Sequence, residues 1–495
     1  MDTIHHLVDG SIIEGTSGRT SPVYNPATGE QTAELSLAST AEVDGAIASA
    51  TAAFEEWRHS SLAQRTKLMF AYRELVDRNA DEIARRLTAE HGKVKSDALG
   101  EVARGLENIE FACGIAEMLK GGYNEQASTG VDVYTVRQPL GVVAGITPFN
   151  FPAMVPLWMI PNALATGNTF VLKPSERDPS APMFIAELAQ EAGFPPGVLN
   201  VVNGDKEAVN HLLTHPDIAA VSFVGSTPIA KHVFNTATEH GKRVQALAGA
   251  KNHMIVLPDA DLELAADAAV SAAYGSAGER CMAISVAVAV GDVADDLVAA
   301  VQQRIDKLVI GPGDEPSSEM GPLITKDAQD RVAGYIQQGA DAGANVVVDG
   351  RDKSFDNDGY FMGATLIDQV TTDMTVYQDE IFGPVLSVVR VDTYQEAVDL
   401  IKNNQWGNGA AIFTRDGGAA RRFQDDADAG MVGINVPIPV PVAYHSFGGW
   451  KDSLFGDTTM YGPEGVRFFT KAKVITERWP DPSTSTVNLG FPTNT

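Results

Sequence analysis

The apolar positions fall into two regimes along the chain. Over Thr40–Trp57 they recur at helical spacing as Val43, Ile47, Ala50 and Phe54, and 62–75 has the same look. Over 101–119 the stripe is Leu106, Ile109, Phe111 and Ile115. Such stripes mark one buried helix face, so the chain to about residue 120 is expected to be mainly helical. After residue 140 short apolar runs alternate with helical patterns. Strands are expected at 141–146 (GVVAGI), 168–173 (NTFVLK), 198–203 and 219–224 (AAVSFV). Helices follow them, through Ala165, over 180–192, over Lys206–Thr214 and from Pro228. The runs are apolar throughout rather than alternating, the mark of a parallel sheet covered on both faces. A doubly wound α/β nucleotide-binding domain is the expectation.

A second α/β stretch starts near Ala250. It has helices expected at 262–277, 295–308, 326–342 and Tyr394–Asn403. Strands are expected at Ile284–Val290, 386–391, Gly409–Phe413 and 431–435. Segments 311–322 and 437–456 are rich in Gly and Pro and read as irregular. Two amphipathic strand-like segments, 131–137 (VDVYTVR) and 467–476 (RFFTKAKVIT), flank the α/β regions. Their edges need a partner, which a second subunit can supply. The tail after Trp479 reads as loosely ordered.

Length changes this picture by requiring more than one core. The chain has 495 residues, and single cores stop growing at roughly 250–300. No apolar run approaches the ~18 residues of a membrane span. The formal net charge of -27 argues against nucleic acid or an anionic membrane as main partner, while leaving room for local phosphate sites. The opening MDTIHHLVDG lacks signal and transit features, so the cytoplasm is the expectation. Two cysteines support neither a disulfide framework nor a metal cluster, and no metal is expected.

Four segments carry candidate chemistry. In 274–284 (YGSAGERCMAI), Cys281 stands between a helix end and a strand start, where it can open to a cleft. Arg280 beside it would favour a thiolate; an inert buried cysteine fits the local pattern equally well. Cys113 lies on an apolar helical face and reads as structural. In 146–152 (ITPFNFP), Asn150 follows a strand at the sheet edge where ligands bind. Its amide can stabilise an oxyanion, although Asn is also common in turns. In 172–178 (LKPSERD), Lys173 and Glu176 are placed to bind ribose and phosphate, or to form a solvated charge cluster. In 223–228 (FVGSTP), Gly225 and Ser226 precede a helix with Pro in its first turn, a phosphate-binding arrangement or an ordinary helix start. The GxGxxG fingerprint is absent.

Taken together, these motifs resemble the aldehyde dehydrogenase superfamily. TPFNFP, LKPSE, FVGS, a late Cys, EIFGPV (380–385) and MVGINV (431–436) occur in that family's order. KPSERDPSAP, FVGSTPIAKHVF, GAKNHMIVLPDAD and YGSAGERCMAISVAV are similar to its CoA-acylating branch, the methylmalonate- and malonate-semialdehyde enzymes. The resemblance implies an NAD-binding domain over 1–121 and 142–248, a catalytic domain over 249–455, and oligomerisation segments at 122–141 and 456–490. It implies Cys281 as nucleophile and Asn150 as oxyanion donor, with Arg104 and Arg280 holding a substrate carboxylate. It assigns NAD to Thr147, Phe149, Lys173, Glu176, Arg177, Gly225, Ser226, Ala248, Glu380 and Phe382. It further implies CoA as co-substrate and a homotetramer.

One departure from the wider superfamily bears on chemistry. Hydrolytic members carry a general-base glutamate in a motif like LELGGK; 245–250 (QALAGA) stands in its place, with Ala246 read as the glutamate's position. Water needs such a base to attack a thioester, whereas a thiol ionises far more easily, at about 8.5. The competing readings are a hydrolytic enzyme, such as a succinate-semialdehyde dehydrogenase, and a non-enzymatic protein on the same scaffold.

Overall fold

In the computed structural model, 2–484, 487 and 489–490 are described. The near-continuous apolar strands assemble as the pattern predicts, into parallel sheets. The larger sheet has eight strands. At its centre Val142–Ile146 lies between Ile218–Val224 and Thr169–Lys173, paired in parallel with both. Leu199–Val201 extends one side and Arg243–Leu247 the other, also in parallel. Strand order therefore reverses at Val142–Ile146, the switch point where ligands bind in such sheets. Separate apolar clusters cover the two faces of this sheet.

The second sheet has seven strands. Its parallel core runs Thr365–Asp368, Val385–Val391, Ile284–Val290, Asn252–Val256, Gly409–Phe413 and Met431–Ile434. Asn345–Val348 adds an antiparallel edge. A third apolar cluster packs this sheet against its helices. A three-stranded antiparallel sheet joins Tyr123–Ser128, Val131–Pro139 and Thr470–Glu477.

Several expectations need correction. The start is not helical: strands lie at His6–Val8, Ser11–Ile13, Thr20–Asn25 and Glu30–Ser36. The run 467–476 is not one strand, because Arg467 and Phe468 end the helix Gly462–Phe468 and pairing begins at Thr470. The 262–277 helix stops at Tyr274. Ser276, Ala277 and Gly278 then take left-handed φ values of 54°, 52° and 74°. The expectation of looseness after Trp479 falls largely on residues outside those described. Among the described residues no helix is long and apolar enough to cross a membrane.

Candidate active site

A cavity of about 710 Å³ opens between the two sheets. Thr147, Phe149 and Asn150 reach it from the loop after Val142–Ile146. The Thr147 N–H donates to the Lys173 carbonyl at 3.1 Å, so the sheet ladder continues into this loop. Asn150 is buried, and its backbone carbonyl accepts from Lys93 Nζ at 2.7 Å. The same ammonium pairs with buried Glu101 at 2.6 Å. The other oxygen of Glu101 accepts the N–H groups of Ala153 and Met154. These two buried charges thus fasten the Asn150 loop and the start of Met154–Ala165 to the helix Lys95–Cys113.

Lys173 closes its strand, and its ammonium lies 3.0 Å from Glu176. Burial opposes charge on Glu176, but Lys173 outweighs it and holds that carboxyl below its usual range. Arg177 also lines the cavity. Gly225 and Ser226 lead into the helix Thr227–Glu239, which has Pro in its first turn and no side-chain cap. That uncapped end starts where Gly225 and Ser226 line the cavity, an arrangement suited to phosphate. Ala248 lines the same wall.

The opposite wall comes from the second sheet. The left-handed turn at Ser276–Gly278 packs against the Glu380–Phe382 loop: a Cβ on Gly278 would meet the Gly383 carbonyl oxygen at 2.1 Å. Cys281 follows this turn and reaches the cavity. Burial pushes its thiol up to about 12, and the Glu380 carboxylate adds to that. Glu380 is itself pushed up to about 7 by burial and accepts the Ala250 N–H at 2.9 Å. Phe382 holds a φ of 55° and stacks edge-on with Phe149. Such strain in a non-glycine residue concentrates at functional sites.

The catalytic and cofactor candidates thus share one cavity. A sequence profile of the aldehyde dehydrogenase family matches residues 12–475. The chain belongs to the aldehyde dehydrogenase family. It is 55% identical to a malonate-semialdehyde dehydrogenase of Pseudomonas aeruginosa, across 97% of each chain. A crystal structure of methylmalonate-semialdehyde dehydrogenase from Oceanimonas doudoroffii superposes with a TM-score of 0.96 at 56% identity, covering 98% of this chain and 99% of that one. A Sinorhizobium meliloti structure described as the same kind of enzyme, complexed with NAD, gives 0.97 at 52% identity with the same coverage.

Two arginines stand apart from this cavity. Arg280 turns away, pairs with Asp97 at 2.7 Å and lines a neighbouring cavity of about 590 Å³. Its charge is the weakest influence on the Cys281 thiol, so the expected thiolate activation by Arg280 is overridden by burial and Glu380. Arg104 pairs with Glu107 at 2.8 Å and donates to the Pro441 carbonyl at 2.6 Å.

The position read as the missing base also shifts. Ala246 packs into the cluster beneath Thr40–Trp57 and Lys206–Thr214, whereas Leu247 packs into the cluster that Cys281 touches. Leu247 therefore presents its side chain on the side of Cys281. Neither residue carries a carboxylate, so the chemical conclusion is unchanged.

Sequence reading missed Arg331, which lines the cavity from the helix Lys326–Asp341 and donates to the Ile381 carbonyl. It also missed Lys93 and Glu101; a Lys and a Glu on helix-forming sequence look like surface residues until their burial is known. Among the described residues, Asp44, His211 and His215 converge outside this cavity. The Asp217 N–H donates to His215 Nδ1, which leaves the ring proton on Nε2, facing Asp44. Hydrogen bonding satisfies that group.

Proposed function

We propose that the protein is an NAD-dependent, CoA-acylating dehydrogenase of malonate semialdehyde or methylmalonate semialdehyde. The observation that carries this reading is Cys281 and Asn150 sharing a cavity whose adjoining strand end bears Leu247 instead of a carboxylate. The relatives named for these substrates support it. The cavity fits NAD: Lys173 and Glu176 suit the adenosine ribose, the open helix end at Ser226 suits the diphosphate, and Glu380 suits the nicotinamide ribose. Thr147, Phe149, Arg177, Gly225, Ala248 and Phe382 complete its walls.

Cys281 adds to the aldehyde carbon, and the Asn150 amide and the Cys281 N–H hold the resulting oxyanion. When bound, NAD supplies the hydride acceptor that turns this adduct into a thioester on Cys281. A carboxylate beta to the thioester carbonyl can then leave as CO2, because the thioester delocalises the developing carbanion. With Leu247 in place of a carboxylate at the strand end beside this cavity, no base there activates water, and the thiol of CoA takes the acyl group. Malonate semialdehyde yields acetyl-CoA, and its methyl homologue propionyl-CoA. Arg104 and Arg280 select the carboxylate by charge-assisted bonds, exchanging their Glu107 and Asp97 partners for it.

The same proposal assigns 1–121 and 142–248 to NAD binding, 249–455 to catalysis, and 122–141 with 456–490 to assembly of a homotetramer. The test is NADH formation from each semialdehyde with and without CoA. Sustained turnover that needs CoA is expected; equal turnover without it would instead establish the hydrolytic reading.

A further inference from the structure

The chain at Cys281 is a tight turn, closed by the Ala283 N–H donating to the Arg280 carbonyl at 3.0 Å. Cys281 and Met282 are its two central residues. The peptide between them is the one whose plane reverses when a turn passes between its two common types. Met282 keeps a negative φ, which fits only one of those types. Two buried asparagines converge on the carbonyl of that peptide. Asn252 Nδ2 donates to it at 2.9 Å and Asn408 Nδ2 at 3.1 Å. Asn252 spends its other donor on the Ala283 carbonyl, and its own oxygen accepts the Gly409 N–H. Asn408 also contacts Met282 Sδ at 3.0 Å. Asn252 opens one strand of the second sheet and Asn408 immediately precedes the strand paired with it, so the sheet itself sets where the two amides meet.

A peptide's N–H points opposite to its carbonyl. Holding the Cys281 carbonyl toward the asparagines therefore turns the Met282 N–H the other way. We propose that Asn252 and Asn408 are positioning residues that lock this peptide so that the Met282 N–H faces the Cys281 sulfur. This rests on the reading of Cys281 as nucleophile. The backbone N–H groups of Cys281 and Met282 both favour the thiolate, opposing the burial that disfavours it. Buried at the heart of the site, such fixed dipoles need no rearrangement when charge develops on sulfur. The ionisable groups whose charges act on this sulfur are Glu380, Arg280 and Tyr461. The asparagines hydrogen-bond instead to backbone groups, and Asn408 also to Met282 Sδ, so the clamp can be altered separately from them.

The test is the pH profile of iodoacetamide alkylation at Cys281, in a Cys113→Ser background, for the parent, Asn408→Leu and Asn252→Ala. Each loses one donor to the same carbonyl. Both profiles should move to higher pH, with alkylation at a fixed pH slower by roughly three- to tenfold. NAD affinity, followed by fluorescence, should stay near the parent's. Profiles that superpose on the parent's in variants that still bind NAD overturn the positioning role. Loss of NAD binding in both variants also overturns it, since the asparagines would then only hold the fold. A parent whose Cys281 resists labelling altogether overturns the functional reading and this inference with it.

Discussion

The two sheets build opposite walls of one cavity by opposite means. In the eight-stranded sheet the contributing residues follow their strands. Thr147 and Asn150 come after Val142–Ile146, Glu176 after Thr169–Lys173, Ser226 after Ile218–Val224 and Ala248 after Arg243–Leu247. In the seven-stranded sheet they precede them: Cys281 comes before Ile284–Val290, and Glu380 and Phe382 before Val385–Val391. The first wall is an extension of regular ladders, and none of these residues there has a positive φ. The second wall is held by left-handed backbone at Ser276, Ala277 and Phe382. On the proposed reading this difference gives a binding edge, with dipoles and hydroxyl partners in a regular array, and a reacting edge, where Cys281 leaves a strained turn; Asn150 is the exception, a reacting group carried by the regular edge.

The sharpest way to break that contrast is to remove the nucleophile. Cys281→Ala should abolish NADH formation, while Cys113→Ala should keep most of it, since Cys113 is buried at the end of the helix Lys95–Cys113 and Cys281 lines the cavity. Essential labelling at Cys113 would refute the assignment. Next in size is Asn150→Ala, expected to lower kcat by roughly 10²–10³-fold, or about 2.7–4 kcal/mol. A change confined to KM would make Asn150 a binding group like its neighbours on that edge.

Arg104→Leu tests a residue outside both walls. It should cost about tenfold or more in kcat/KM for a semialdehyde bearing a carboxylate, and much less for propanal. Equal losses on both would reject the carboxylate role, and the same pair of assays on Arg280→Leu judges that residue independently. The smallest expected effect concerns charge beside the thiol. A negative neighbour disfavours a thiolate, and Glu380, with its carboxyl near 7, carries that charge mainly above neutrality. Glu380→Gln should therefore lower the thiol's pKa and speed Cys281 alkylation by a few-fold above about pH 7, leaving acidic pH unchanged. Slower alkylation would reverse the sign of this coupling.

The binding edge was legible in the sequence because apolar parallel strands announce themselves, and the residues just after them fall at the sheet's ligand edge. By itself FVGSTP also fits an ordinary helix start, and it took the family's motif order to single out Gly225 and Ser226. The reacting edge was legible only through family resemblance: nothing in GERC distinguishes a strained turn from an ordinary one. The N-terminal strands were missed because Asp2–Ile4, Ser11–Ile13 and Thr20–Asn25 are short and largely exposed, so they show no buried period. His6–Val8 is wholly buried, yet three residues are too few to show a period, and its antiparallel partner Val201 lies far along the chain. The roles of Asn252 and Asn408 were equally hidden, since 156 positions separate two side chains that meet on one carbonyl.

The pairing of Thr470–Glu477 with Val131–Pro139 has a consequence for how the chain is made. Register runs antiparallel from Thr470 opposite Pro139 to Glu477 opposite Asp132. Val131–Pro139 must therefore remain without this neighbour until Thr470–Glu477, about 330 positions further on, has been synthesised. Leu454–Phe455 likewise reaches back to complete the edge at Arg243–Leu247. On a ribosome the eight-stranded sheet can assemble its parallel centre early, but its outer edge and the antiparallel sheet stay open through most of translation. During that interval the Val131–Pro139 edge is exposed to whatever other strands the cell presents, including those of nascent copies on the same messenger.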